Sequence, residues 1–303
     1  MNTLQNRNVA SGIDIAARAM LVRLTIRTWN CSIVDNDATN ETLANKQASI
    51  GAGKFQKQLL SKSVVKALKA SYGAARNAHY ELTLPWSDSG DRILAANGFM
   101  RYSSTMGEFQ NKTNALLEEF LQSYPQAIND AENYLLGTMF DRSNYPSVTE
   151  LRDKYELTWK IRQIPISGDF RVELSDSASR AIKAQIEADL HSTLVAANET
   201  VIERVRVAVT NMRDKLEAYV PASDGNKSAN WFKDSLVSNV RDLVELMPSL
   251  NITGDKRLDD IAAMMQRDLT RFDADQLKAS DGEREKTAIA ANDILTTMEE
   301  YGL

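Results

Sequence analysis

Apolar side chains recur along this chain with two spacings, and the longest regular run organises the rest. From Ser175 to Val220 there is no Pro or Gly. Apolar or small side chains fall at Ile182, Ile186, Leu190, Leu194, Ala197, Val201, Val205, Val209, Met212, Leu216 and Tyr219. Ten steps over 37 residues average 3.7, the spacing of one helix stripe rather than a strand. Ser175–Ser177 supplies N-cap residues and Pro221 marks the far end. At about 1.5 Å per residue the run predicts a rod of roughly 70 Å. Such a rod needs a partner helix or a second subunit along its stripe.

A second helical pattern spans Gly98–Gly137, through Met106, Phe109, Thr113, Leu117, Phe120, Tyr124 and Ile128. Pro125 is expected to kink or divide it, and it is the natural antiparallel partner for the rod. Shorter helices are predicted at Ile13–Met20, Lys57–Tyr80, Ser147–Tyr155, Trp231–Met247 (stopped by Pro248), Leu258–Phe272 and Glu283–Tyr301. Leu21–Val34 and Leu157–Leu174 alternate with period two, the latter around a Ser-Gly-Asp turn, and predict a small sheet. Asn36–Asn40 and Thr83–Leu94 read as loops, and Ala222–Ala229 as a linker. The expected fold is mainly α: a long antiparallel, coiled-coil-like helical hairpin, a small β element and a C-terminal helical segment. The expected division is 1–104, 105–221 with the β insertion at 157–174, and 222–303.

Composition narrows the function classes. Apolar residues at 43% and charged residues at 25% are those of an ordinary globular chain. No apolar run approaches membrane-spanning length, so no membrane partner is expected. The first 30 residues lack a secretory pattern, and the single cysteine, Cys31, fits a reducing cytoplasm. Cys31, His79 and His191 are too few and too scattered for a zinc site. Gly51-Ala-Gly53-Lys54 fails as a phosphate loop, because one residue separates the glycines and Phe55 follows the lysine. There is no G-x-S-x-G elbow, and the pairs Asp259/Asp260 and Asp273/Asp275 cannot each clamp a metal alone. The expectation is a protein that is not an enzyme and carries no cofactor or metal.

Charge is unevenly placed. Residues 1–112 hold 14 Lys+Arg against 8 Asp+Glu, a net of +6, and the remainder is net −11. Between Thr42 and Tyr80 there are seven basic side chains and no acidic one. Lys62, Lys66 and Lys69 follow helical spacing and make a ridge. Single-strand binders join such a groove to aromatic platforms. The candidate nucleic-acid-binding residues are Lys54, Lys57, Lys62, Lys66, Lys69 and Arg76, with Tyr72, Trp86 and Arg92; Tyr80, Phe99 and Tyr102 lie near in sequence. The same ridge could instead be a solvated face, or could dock on acidic surface of another subunit. A weaker reading makes Asp88, Asp91 and Arg92 around Gly90 a catalytic cluster.

Five segments together carry a resemblance: LPWSDSGDRIL at Leu84–Leu94, FLQSY at Phe120–Tyr124, YPSVTELRDKY at Tyr145–Tyr155, IPISGDFRVEL at Ile164–Leu174 and DSLVSNVRDLVELMPSLNI at Asp234–Ile252. As a set they resemble a family of uncharacterised proteins from tailed bacteriophages, over roughly residues 55–255. That family has no assigned reaction or catalytic residue, so the resemblance transfers no site. It implies a phage protein working in the bacterial host cytoplasm, in DNA metabolism or against a host system. The leading expectation is therefore a non-catalytic homo-oligomer binding single-stranded nucleic acid through its basic first third. The alternative is a module that inhibits or adapts a host protein.

Overall fold

The structure, a computed structural model, describes residues 12–87, 89–169, 172, 175–222 and 228–303. It is mainly helical with a small antiparallel sheet. The chain divides into two compact units: Met1–Arg23, Glu81–Met100 and Ile161–Leu303 form the first, and Leu24–Tyr80 with Arg101–Lys160 form the second. Among the described residues no helix is long and apolar enough to cross a membrane.

The elements run α1 (Gly12–Arg18), β1 (Ala19–Arg27), β2 (Ser32–Asp35), α2 (Asn36–Asn45), β3 (Phe55–Gln58), α3 (Lys66–Glu81), β4 (Leu84–Pro85), β5 (Asp91–Ala95) and α4 (Phe99–Asp130). Then follow α5 (Val148–Arg152), β6 (Glu156–Arg162), α6 (Asp176–Ala218), α7 (Ser235–Leu250), α8 (Lys256–Asp268), α9 (Ala274–Ala279) and α10 (Asp281–Glu300). One sheet has the order β4-β5-β1-β6, and β2 pairs with β3 in another.

In the first unit the expected rod is α6, capped where predicted: Ser175 Oγ accepts from the amide of Ala178 at 3.4 Å. Its stripe from Leu190 to Leu216 is buried, with Val201, Val205, Val209 and Met212 at the centre of the core. Within this unit its helical partners are α10 and α7. The reason is apolar surface: Ala291, Ile294 and Met298 of α10 and Val237, Val240 and Met247 of α7 are buried in the same cluster. α7 runs on through Pro248 to Leu250 instead of stopping, since a proline near a helix end removes only one late hydrogen bond. α9 was not anticipated; Asp273 and Gln276 build a capping box for it. The expected loop at Thr83–Leu94 forms two strands, because Leu84 and Ile93 are paired and buried. Gly90 turns between them at φ +91, a conformation that favours glycine. Of the expected Leu157–Leu174 pair of extended runs, the first lies in β6, the Ser-Gly-Asp turn is a 3-10 turn at Ser167–Asp169, and Phe170 in the second lies outside the described residues.

In the second unit four expectations change. The Leu21–Val34 alternation splits into β1 and β2, which belong to different sheets, with Cys31 at φ +57 in the break. Asn36–Asn40 opens a helix rather than a loop, because the Asp35 carboxylate accepts from the amide of Ala38 at 2.9 Å. The helix expected from Lys57 starts only at Lys66; Phe55–Gln58 is instead a strand paired with β2. α4 passes through Pro125 undivided and widens into a π-helical turn at Ala131–Leu136, closed by Gly137 at φ +51. Tyr72, Tyr102, Phe120, Tyr124, Tyr145 and Tyr155 fill the core of this unit. α3 is bonded to α4 at two buried points, Ser71 Oγ to Thr113 Oγ1 at 2.7 Å and His79 Nδ1 to Tyr102 Oη at 2.9 Å.

Candidate nucleic-acid interface

Helix α3 sorts its residues by angle. Leu68, Ser71, Tyr72, Ala75 and His79 are buried. At 100° per residue Lys66, Lys69, Gly73, Arg76 and Tyr80 fall within about 80° of one another on the opposite side. Lys66, Lys69, Arg76 and Tyr80 are exposed on that side, Tyr80 at 47%. Lys62, in the turn just before the helix, is exposed too. No acidic residue stands in the first turn of α3, and the helix carries none before Glu81.

The electrostatics of this end are additive. A helix N-terminus carries roughly half a positive charge, and cations placed there cost about 0.3–1 kcal/mol each where carboxylates would stabilise. Lys62, Lys66 and Lys69 therefore stand where the helix itself disfavours them. Their sum with the positive end of the helix dipole is a local positive potential suited to phosphate.

Not every candidate belongs to this face. Lys57 is 6% exposed; its ammonium lies 3.0 Å from Asp35 Oδ2 and donates to the carbonyl of Met139 at 2.9 Å. Tyr72 is buried and stacked on Tyr155, and burial pushes its hydroxyl up to about 12. Neither can meet a ligand, so both are withdrawn from the site. Lys54 is exposed next to β3, not on α3. Trp86 and Arg92 belong to the first unit: Trp86 is half-buried against the apolar core, and Arg92 donates to Thr83 Oγ1 at 2.7 Å and to the Thr83 carbonyl at 2.9 Å. Phe99, the first residue of α4, also lies in the first unit. Tyr80 had the spacing to be chosen over Tyr72: with the apolar stripe at Leu68, Tyr72, Ala75 and His79, an aromatic eight residues after Tyr72 turns 80° away from it.

Asp91 and Arg92 do not converge on one site. Asp88 lies outside the described residues. Asp91 and Arg92 are neighbours on β5 and so point to opposite faces. Asp91, 7% exposed, is forked by Arg23 (Nε to Oδ1 3.2 Å, NH2 to Oδ2 3.1 Å) and also bound by Arg162. Its carboxylate oxygens are occupied by guanidinium donors. Cys31 is buried as well, and burial pushes its thiol up, away from a reactive thiolate.

Comparison of the chain with protein-family models, curated proteins and solved structures gave no match.

Proposed function

We propose that this protein binds single-stranded nucleic acid through the exposed face of α3, without catalysing a reaction. The observation that carries the reading is one helix face holding Lys66, Lys69, Arg76 and Tyr80, with Lys62 beside its N-terminus and no carboxylate among them. Phosphates meet the cations, and Tyr80 offers a ring face on which any base can stack, which makes the binding tolerant of sequence. Stacking of this kind is worth about 1–3 kcal/mol per base. The setting suggested by the five resembling segments is a phage protein in a bacterial cytoplasm.

The test is fluorescence anisotropy of a labelled single-stranded oligonucleotide at low and moderate salt. Four cation contacts set a slope of log K against log salt of roughly −3. Reversing Lys62, Lys66 and Lys69 to Glu should abolish binding while the fold persists. Absence of binding by the unchanged protein at low salt sinks the reading.

A second reading, docking on another protein, is favoured by a separate patch. Tyr134 is 87% exposed, and Leu135 and Met139 are exposed beside it around Gly137. Self-association is a further proposal: outward faces of α6 from Asp176 to Asp189 are exposed. Light scattering giving 33.8 kDa at every concentration would remove it.

A further inference from the structure

Gly73 sits in the interior of α3, a 16-residue helix, where glycine is the poorest choice after proline. Two structural reasons ordinarily retain such a glycine. One is a left-handed backbone, which Gly73 does not have. The other is a close neighbour, yet a Cβ added here would meet no heavy atom within 4 Å. Among the described residues neither reason applies to Gly73.

Its surroundings suggest another use. Gly73, itself half-buried, lies one turn after Lys69, three residues before Arg76 and two turns before Tyr80, and those three are exposed. Ala70 and Asn77, one residue either side of the same line, are exposed and uncharged. A helical side chain covers the turn N-terminal to its own Cα. With no side chain at position 73, a gap one side chain wide is left between the cations of Lys69 and Arg76. The ridge has a notch in its middle, flanked by positive charge and followed by an aromatic ring.

We infer that the notch at Gly73 is the point where a single-stranded nucleic-acid backbone crosses α3, its phosphates held by Lys69 and Arg76 and the next base laid on Tyr80. This rests on the nucleic-acid reading above. A single strand is thin enough to seat its backbone in a gap one side chain wide and still turn a base onto the tyrosine. A duplex keeps its bases stacked inside and cannot use the ring.

The experiment compares Gly73→Gln with Ala74→Gln, read by anisotropy on labelled single-stranded and duplex oligonucleotides. Both variants add the same neutral side chain to one helix, at half-buried Gly73 and exposed Ala74; Gly73→Gln raises helix propensity and Ala74→Gln lowers it only slightly, so neither should melt far below the parent. Ala74 points about 100° away from Gly73 and should leave binding unchanged. Gly73→Gln should weaken single-strand binding about tenfold, the loss of one charge-assisted contact. Equal binding by Gly73→Gln and the parent overturns the notch while leaving the nucleic-acid reading intact. Absence of binding by the parent removes that reading and the notch with it. A parent that binds duplex as tightly as single strand overturns the single-strand assignment.

Discussion

Lys57 and Asp35 form an ion pair of 3.0 Å inside the second unit, with the lysine 6% exposed and its second partner, the carbonyl of Met139, 2.9 Å away. The lysine that the charge pattern placed on a binding ridge is thus a brace between the β2–β3 pair and the turn after Gly137. Lys57→Ala should lower the melting temperature clearly, because it strands the Asp35 carboxylate and a part-buried carbonyl. Lys66→Ala, at an exposed position, should leave the melting temperature almost unchanged. Thermal unfolding of the two variants side by side checks this, and a harmless Lys57→Ala would remove the brace.

The same pair sets an acid response. The Ala38 amide first, and Lys57 second, hold the Asp35 carboxyl below its usual value. A folded-state value depressed in this way contributes stability above the unfolded carboxylate range, and that contribution fades as pH falls below about 4. Asp35→Asn should remove part of the acid sensitivity, visible as a shallower loss of melting temperature between neutral and acidic buffers.

Alkali should act on the second unit through its tyrosines. Burial raises the hydroxyls of Tyr72 and Tyr145 to about 12, and those of Tyr102, Tyr124 and Tyr155 also move up. A folded value above the unfolded one means that stability is complete below about pH 10 and is lost as pH rises toward 12. The tyrosinate absorbance of these five buried side chains should therefore appear together with loss of helix by circular dichroism, not ahead of it. Ionisation of all the tyrosines while the helix signal holds would contradict this coupling.

Asp91 separates structure from catalysis. Removing it as Asp91→Ala should cost about 1–3 kcal/mol, the low end for a charged network because Arg23 and Arg162 are partly exposed and regain water. Arg162→Ala, at 49% side-chain exposure with one bond, should cost less than about 1 kcal/mol. Urea unfolding ranks them, and an order with Arg162 first would refute the clamp.

The α6–α10 packing predicts a contrast within one helix. Ile294 of α10 is fully buried, and Ile294→Ala should cost about 2–5 kcal/mol by leaving a cavity. Ile289 on the same helix is 55% exposed, and Ile289→Ala should stay within about 0.5 kcal/mol. Equal costs at the two positions would mean that α10 packs another way.

The sequence by itself determined local structure wherever one periodicity ran long enough to dominate. α6, with its stripe and its Ser175 cap, is legible because each turn repeats the same bias. The exposed ridge of Lys66, Lys69 and Arg76 is legible for the same reason, since Leu68, Tyr72 and Ala75 mark the side that must be buried. What tertiary structure decided were the choices that short segments leave open. Lys57 reads as helical by charge spacing, yet pairing with β2 and the carbonyl of Met139 take it into a strand. Leu84 and Ile93 read as loop residues, yet their alternation acquires meaning only once β1 lies beside them. The partner of α6 was likewise undetermined, because an apolar stripe specifies that something must cover it and not which helix does. α10 does so from 80 residues further on, and the second unit takes two separated segments of the chain, since burial is satisfied by any matching surface the folded chain can bring near.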